Sequence, residues 1–267
     1  VQASVGVARK PLPFTKMWKG VKAREYLLEY FTPQVKERRA RGGEDIFTQI
    51  CLATHENGEL LTEDEVVDHM NFLMMAAHDT ITSSATSMTY LLAKHPEWQE
   101  RLREECLSVA PAGTVLTVEQ LGQLELTEMA FKEALRLIPP VPSMPRRAVK
   151  DFTFRNYTIP AGTTVGVSPS FVHKMEKHWP EPEKFDPLRF TPENSVGRHK
   201  YAWVPFGGGA HMCLGLHFAY MQIKILMHAM LTQNRVVLQG GPDYEPKWQV
   251  FPIPQPKDGL PVRLERL

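Results

Sequence analysis

Apolar residues recur at helical spacing through most of the first half of the chain, and the longest such stretch runs from Thr62 to about Ala93. This stretch contains no proline or glycine, and Thr62 and Glu65 have the capping-box spacing that marks a helix start. Its apolar residues nearly encircle its middle, which is typical of a buried helix. We therefore expect a long central helix, at about residues 62–93, that runs through the core and not over the surface.

The second half of the chain has a different pattern. Between Arg147 and Ser168 apolar residues alternate, β-branched residues are frequent and a Pro-Ala-Gly turn interrupts them, which predicts short strands. Irregular, proline-rich chain follows from Trp179 to Pro205. The other helices are predicted at about Pro96–Val109, Thr117–Leu121, Thr127–Leu137 and Leu214–Thr232. The expected fold class is mainly α with a minor β region.

Composition narrows the functional classes. The chain has 267 residues, 43% of them hydrophobic, and its formal net charge of +1 gives no global electrostatic case for a nucleic-acid partner. Cys51, Cys106 and Cys213 form no CxxC pair, which argues against a disulfide framework or a cysteine-rich zinc site and favours a reducing, cytoplasmic location. No apolar run approaches a membrane span, and the first residues lack the order of a signal peptide.

One cysteine lies in an unusual setting. In FGGGAHMCLG, from Phe206 to Gly215, three consecutive glycines precede Cys213 and an apolar stretch follows it. Unpaired backbone N–H groups and the helix dipole favour a thiolate at the start of a helix. A thiolate in this position is suited to act as a nucleophile or as a metal ligand.

Several chemistries compete for this cysteine. A phosphatase-type loop requires an arginine six residues later, where this chain has Ala219, and no Gly-Lys-Ser/Thr follows the glycines as in a nucleotide-phosphate loop. A cysteine protease, whose histidine partner a sequence cannot locate, and a plain buried cysteine in a glycine-rich turn both stay open. The glycines and Phe206 favour a third interpretation, in which one axial thiolate binds a large flat cofactor.

Four motifs, in this order and spacing, resemble those of the cytochrome P-450 family. The decapeptide matches the haem-binding pattern Phe-x-x-Gly-x-x-x-Cys-x-Gly, while KEALR has the Glu-x-x-Arg pair, FDPLRF resembles the segment before the haem loop and AAHDT resembles the oxygen-activation motif. The resemblance covers about residue 44 to the C-terminus. It implies a single partial cytochrome P-450 domain over residues 1–267, with the Glu-x-x-Arg helix at about 127–137 and the haem-thiolate loop at 206–215.

The resemblance implies haem b as the cofactor, with Cys213 as its axial thiolate. Glu133, Arg136 and Arg189 are expected to form a buried structural network, although their spacing alone favours an ordinary surface salt bridge. A cation before the strands is expected at the haem propionates, and the adjacent Arg147 leaves its register open by one residue. The residues expected to contact the haem are Cys213, Phe206, Gly209, Gly215, His211, Arg146 and Ala76.

Asp79 and Thr80 carry the implied oxygen chemistry. Their spacing alone is that of a core stripe on the central helix, but a polar pair in an apolar face needs partners or a function. The resemblance implies that the Thr80 hydroxyl hydrogen-bonds dioxygen at the haem and that Asp79 helps to bring protons from solvent. The family usually has glycine where this chain has Ala77, so a smaller local widening of the helix is expected.

The implied activity is that of a monooxygenase that inserts one oxygen atom from O2 into an apolar, lipid-, terpenoid- or sterol-like substrate. The expected pocket residues are Phe72, Met75, Ala76, Val141, Met144 and Phe251. Electrons would come from an external redox partner, a ferredoxin or a flavin reductase, bound at a positive patch formed by His199, Lys200, His211 and Lys224. The alternatives are a haem-thiolate peroxygenase or isomerase, and a non-catalytic fragment that binds haem weakly.

The position of the central helix leads to one more expectation. It begins about sixty residues into this chain, whereas members of the family have a long N-terminal region before it. We therefore expect the chain to lack the N-terminal lobe, to expose apolar surface and to retain haem poorly on its own.

Overall fold

A computed structural model describes residues 10–241 and 243–267. Helices α1 to α9 span Lys16–Arg41, Ile46–Leu52, Glu63–Lys94, Pro96–Val109, Val118–Gln123, Glu125–Leu137, Pro169–Val172, Pro192–Ser195 and Leu216–Leu231. Strands β1 to β8 span Met144–Arg147, Phe152–Phe154, Tyr157–Ile159, Thr164–Val167, Asn234–Leu238, Trp248–Gln249, Gln255–Pro256 and Val262–Arg266. The predicted fold class, mainly α with a minor β region, is confirmed.

Helix α3 is the long helix that the sequence predicts. It starts with a capping box, in which the Thr62 N–H donates to the Glu65 carboxylate (2.7 Å) and the Glu65 N–H donates to the Thr62 hydroxyl (3.3 Å). Near its C-terminal end Leu92 is fully buried. In the middle of the helix three apolar side chains are about half exposed: Phe72, Met74 and Met75. This contradicts the expected burial of the middle of the helix and agrees with the expectation that this chain exposes apolar surface. Apolar composition shows that a helix can be buried, but it does not show what covers it.

The chain divides into two compact units, with the boundary inside α3 between Asp79 and Thr80. In the first unit, α1, α2 and the start of α3 enclose a small apolar core that includes Phe31, Val35, Phe47, Val66 and Met70. The Arg24 guanidinium on α1 pairs with the Asp68 carboxylate on α3 at 2.6 Å. The expected single partial domain stays a prediction.

The second unit has a larger core. The last part of α3, α4, α6 and α9 contribute its central side chains, which include Leu92, Leu102, Phe131, Ile223 and Met227. Helix α6 packs against α9 and α4. This core therefore fixes the helix that carries the Glu-x-x-Arg motif relative to the helix that follows Cys213.

The strands form four separate antiparallel pairs, β1 with β4, β2 with β3, β5 with β8 and β6 with β7. In the first pair Arg146 lies opposite Val165, and Met144 lies opposite Val167. The β5–β8 pair adds Val236 and Leu238 to the core of the second unit. Within the described residues, no helix is long and apolar enough to cross a membrane.

Candidate haem site

The Cys213 loop is closed by a backbone hydrogen bond, in which the Cys213 N–H donates to the Phe206 carbonyl (2.9 Å). Gly207 (φ 74°) and Gly209 (φ 66°) adopt left-handed backbone conformations that side chains disfavour. Helix α9 begins three residues after Cys213. The cysteine therefore lies just before the helix, and not at its N-terminus as the sequence predicts.

The three cysteines differ in how accessible their sulfur atoms are. Cys51 and Cys106 are fully buried, whereas Cys213 is exposed. Burial raises the pKa of the Cys51 thiol, and it raises the pKa of Cys106 to about 11. Both buried residues therefore stay thiols at neutral pH, and Cys213 is the cysteine whose sulfur can reach a ligand.

Two glycines of the loop differ in what surrounds them. A Cβ built on Gly209 would meet no atom within 4 Å, and one built on Gly215 would meet the Cys213 sulfur at 3.8 Å. The nearby apolar residues Met212, Leu214 and Phe218 are exposed. An accessible cysteine sulfur bordered by glycines and apolar side chains fits a haem, whose iron accepts an axial thiolate.

The other loop residues pack within the protein. A Cβ on Gly208 would lie 3.0 Å from the ring of Tyr201, and one on Gly207 would lie 3.2 Å from the carbonyl oxygen of His211. The half-buried ring of Phe206 packs against the rings of Trp203 (6.0 Å) and Tyr220 (5.8 Å). Of the four glycines, Gly209 alone has open space beside its Cα, and the role of all four at a cofactor stays a prediction.

The side chains of the adjacent Arg146 and Arg147 lie on opposite faces of strand β1. The sulfur of Met144 lies 3.6 Å from the position of a Cβ on Gly207, so the face of β1 that carries Met144 meets the Cys213 loop. Side chains alternate along a strand, which places Arg146 on this same face. The Arg147 guanidinium instead lies 3.7 Å from a Cβ on Gly162. The register therefore favours Arg146 as the cation beside the loop.

Glu133 and Arg136 form a fully buried ion pair on α6. Arg136 donates from Nε and Nη2 to the two carboxylate oxygens of Glu133, at 2.7 and 2.8 Å. The Arg189 Nε lies 3.3 Å from Glu133 Oε1, and the Asp186 N–H donates to the same oxygen at 3.0 Å. The structure thus brings together the three residues that the sequence groups as a network.

This network holds the irregular segment by its backbone. Arg136 donates to three carbonyl groups, those of His173 (2.9 Å), Pro182 (2.6 Å) and Lys184 (3.1 Å). Arg189 donates to the carbonyl groups of Pro180 (2.6 Å) and Glu181 (2.8 Å). These side-chain donors satisfy backbone carbonyl groups that a regular helix or sheet would pair with its own backbone N–H groups.

Sequence reasoning misses two residues of this region. His173 is fully buried, and its Nε2 accepts a hydrogen bond from the Val204 N–H (2.9 Å). The Arg198 guanidinium lies over the Trp179 ring at 4.2 Å and donates to the Arg189 carbonyl (2.6 Å). No local pattern marks either residue, because both depend on contacts made by irregular chain.

Burial of His173 predicts a pH-dependent stability. It lowers the pKa of the ring from 6.5 to about 4, although backbone groups of Arg136 and Leu135 partly favour the charged form. The unfolded chain accepts the proton more readily, so this stabilisation is full above pH 6.5 and is lost as the pH falls toward 4. We expect His173 to lower the free energy of unfolding by about 2 kcal/mol between pH 7 and pH 5. Urea unfolding of the wild type and of H173Q measures this, and an equal pH dependence in both would contradict it.

The residues predicted to take part in oxygen activation, Asp79 and Thr80, lie on an uninterrupted helix. α3 continues through Ala76 and Ala77, so no local widening replaces the α-helix there. A ring nitrogen of His78 lies 2.8 Å from the Asp79 carboxylate, which is 41% exposed. The Ser84 hydroxyl donates to the Thr80 carbonyl (2.8 Å). His78 is thus a partner of Asp79 that sequence reasoning misses, although it is its immediate neighbour.

The residues predicted to line a substrate pocket do not line the cleft that the second unit shows. This cleft has a volume of about 720 Å³, and its walls include Tyr90, Leu137, Phe185, Trp248 and Pro254. In the same unit, Val141 and Met144 are half-buried, and Phe251 is 70% exposed. On α3, the side chains of Phe72 and Met75 are each about half exposed. Their role in substrate binding stays a prediction.

The expected positive patch needs one correction. Lys224 is buried, donates to the Leu121 carbonyl (3.0 Å) and pairs with the Glu128 carboxylate at 2.8 Å. It is therefore not available to a partner. His199, Lys200 and His211 are exposed. A cleft of about 250 Å³ borders this surface, lined by Lys132, Arg198, His199, Lys200 and Trp203, among others.

A mainly helical fold with one accessible cysteine before a core helix and a buried Glu-x-x-Arg pair defines a haem-thiolate class of protein. The sequence pattern of the cytochrome P450 family matches residues 7–262. The chain belongs to the cytochrome P450 family, which confirms the resemblance. In this family a cysteine thiolate binds the haem iron.

Individual relatives agree with this assignment. Cytochrome P450 136 of Mycobacterium tuberculosis is 43% identical over 264 residues, which are 98% of this chain and 53% of the relative. Human cytochrome P450 4X1 is 37% identical over 228 residues, 84% of this chain and 44% of the relative. The structure of retinoic-acid-bound cyanobacterial CYP120A1 has a TM-score of 0.87 at 34% identity, with 97% of this chain and 60% of that chain covered. The chain spans about half the length of the curated relatives it matches.

Proposed function

We propose that this chain provides the haem-thiolate site of a monooxygenase that inserts one oxygen atom from O2 into an apolar substrate. The observation that carries the proposal is the accessible sulfur of Cys213, in a glycine-rich loop that is open at Gly209. The other two cysteines are buried. Family membership supports the same chemistry.

Six residues of the second unit have a role in this part of the proposal. Cys213 supplies the axial thiolate to haem b, and Arg146 and His211 are cations suited to its propionates. When bound, the haem supplies a redox-active iron for the reduction of O2. The Glu133–Arg136 pair, with Arg189, holds the segment that leads to the loop. This last role is structural and not catalytic.

Asp79 and Thr80 are proposed to deliver protons. The Asp79 carboxylate is in contact with both the His78 ring and solvent, so it can take up a proton from water. The neighbouring Thr80 hydroxyl can both donate and accept a hydrogen bond, as a proton relay requires. The continuous helix through Ala77 leaves this transfer to side chains and water.

We also propose the substrate class and the redox partner. A lipid-like substrate, of terpenoid or sterol type, is supported by the structural similarity to CYP120A1, which was solved with retinoic acid bound. Electrons come from an external ferredoxin or flavin reductase. Exposed His199, Lys200 and His211 favour an acidic partner. The widely spaced cysteines favour a cytoplasmic location.

Replacement T80A is expected to uncouple electron use from product formation. Without the hydroxyl, proton delivery fails before oxygen transfer, so peroxide released per NADPH should rise about tenfold while NADPH consumption continues. The measurement supplies the intact, haem-loaded enzyme with ferredoxin, ferredoxin reductase, retinoic acid and 18O2. The wild type should yield a product with one labelled oxygen atom.

The matched control is T82A, two residues further along α3. It should keep the wild-type ratio of product to NADPH. An unchanged ratio in T80A would favour a haem-thiolate peroxygenase or isomerase, in which the relay is dispensable. A wild-type product without the label would overturn the monooxygenase proposal.

A further inference from the structure

We infer that His173 is a positioning residue that links the buried Glu133–Arg136 pair to the backbone of the Cys213 loop. Two groups of His173 make this link. Its carbonyl oxygen accepts a hydrogen bond from Arg136 Nη1 at 2.9 Å, and its ring Nε2 accepts one from the Val204 N–H at 2.9 Å. One residue thus joins the network to the segment that enters the loop.

Backbone hydrogen bonds continue this link to the cysteine. The Val204 carbonyl accepts from the Gly207 N–H at 3.2 Å, and the Phe206 carbonyl accepts from the Cys213 N–H at 2.9 Å. Val204 is therefore fixed at its N–H by His173 and at its carbonyl by the loop. The position of the Cys213 backbone depends on this short turn.

The protonation of the ring explains why a histidine suits this position. Val204 is buried and belongs to no strand, so its N–H needs an acceptor from a side chain. Nε2 of a neutral ring accepts only when the proton resides on Nδ1. Nδ1 of His173 is buried and has no hydrogen-bond partner among the described residues. The backbone groups of Arg136 and Leu135 that favour the charged ring lie near it without meeting hydrogen-bond geometry at Nδ1, so the Nδ1–H is at best weakly paired.

Two tryptophan side chains near Val204 donate hydrogen bonds to backbone carbonyl groups, whereas His173 accepts one. Trp179 Nε1 donates to the Ala202 carbonyl (3.2 Å), and Trp203 Nε1 donates to the Lys132 carbonyl (3.1 Å). Both indoles act as donors. His173 supplies the acceptor for Val204, which neither tryptophan can supply because indole only donates.

Loss of the Nε2 acceptor should therefore increase local opening of the loop without unfolding the core. In H173L the Val204 N–H becomes a buried unpaired donor, whereas in H173Q the amide oxygen keeps an acceptor at similar reach. H228L is the matched control. His228 is also buried, and its Nε2 hydrogen-bonds one backbone carbonyl, that of Ala110 (3.1 Å), away from the loop.

Amide hydrogen exchange, without added haem, tests the link directly. We expect exchange of the Val204 amide to be about tenfold faster in H173L, near the wild-type rate in H173Q and unchanged in H228L. Nitrogen NMR of the wild type gives a test that needs no variant. The His173 ring should be neutral, with its proton on Nδ1. A proton on Nε2, or equal exchange in H173L and H228L, would overturn the inference.

The consequence for the thiolate rests on the proposed haem-thiolate function. In the haem-loaded, reduced and carbon-monoxide-bound state, H173L should lose at least half of its thiolate-type absorption, and H173Q should recover it. If the wild type itself shows no thiolate-type absorption, the proposed function fails while the exchange result still decides the role of His173. Full thiolate-type absorption in H173L, with a thiolate-type wild type, would overturn the effect on Cys213.

Discussion

Replacement C213S is expected to weaken haem binding on the order of 100-fold or more. Loss of residues that merely support a metal ligand costs 10- to 100-fold in metal affinity, so loss of the ligand itself should cost at least as much. A serine hydroxyl is not ionised at neutral pH and is a poor substitute for a soft thiolate. Titration of the purified chain with haem, followed by absorption, measures the affinity.

The buried cysteines provide the control for this variant. C51A removes a thiol of similar size that the fold covers completely, and it should leave haem affinity unchanged. If C213S binds haem as tightly as C51A does, another residue is the ligand. The assignment of Cys213 would then be wrong.

Replacement R136L is expected to lower the free energy of unfolding by about 3–5 kcal/mol. Both Arg136 and Glu133 are fully buried, so removal of the guanidinium leaves the Glu133 carboxylate in the core with its two-bond partner lost and only Arg189 as a charged neighbour. It also leaves three carbonyl groups of the irregular segment without their donor. Urea unfolding at pH 7 measures the change.

An exposed ion pair serves as the control. Arg24 and Asp68 lie 2.6 Å apart in the first unit, but both side chains are more than half exposed. R24L should therefore change the stability little, because solvent screens such pairs. A loss in R136L no larger than that in R24L would contradict the structural role of the network.

Local signals in the sequence predict most of the helices. The helix predicted and observed at Pro96–Val109 has proline at its first position, and the helix observed at Glu125–Leu137 ends just before Pro139 and Pro140. The capping box at Thr62 and Glu65 likewise forms as predicted. These features act within a few residues, so the sequence can show them directly.

Features that depend on contacts between distant parts of the chain cannot be predicted from local sequence patterns. Lys224 looks like a surface cation, but α9 places it beside Glu128 and buries it. The middle of α3 looks like a core helix, but Phe72 and Met75 are exposed. His173 gains its partners from irregular chain 31 residues away, which follows no period. In each case tertiary packing decides, and no local pattern reports it.

The candidate site can be predicted from the sequence only in part. The spacing of the haem-loop motif identifies Cys213, and the burial of Cys51 and Cys106 then distinguishes it from the other cysteines. The choice between Arg146 and Arg147 requires the register of β1 against the loop, which only the structure gives. Sequence thus suggests the chemical groups, and the register of β1 supports Arg146, whose role at the haem stays a prediction, over Arg147.

The absorption spectrum of the haem-loaded, reduced and carbon-monoxide-bound protein tests the central claim most directly. Thiolate and histidine ligands donate different electron density to the haem iron, so they give distinct bands. We predict the thiolate-type band in the wild type and in C51A, and its absence in C213S. A histidine-type spectrum in the wild type, or a thiolate-type spectrum that persists in C213S, would contradict the claim that Cys213 binds haem as a thiolate.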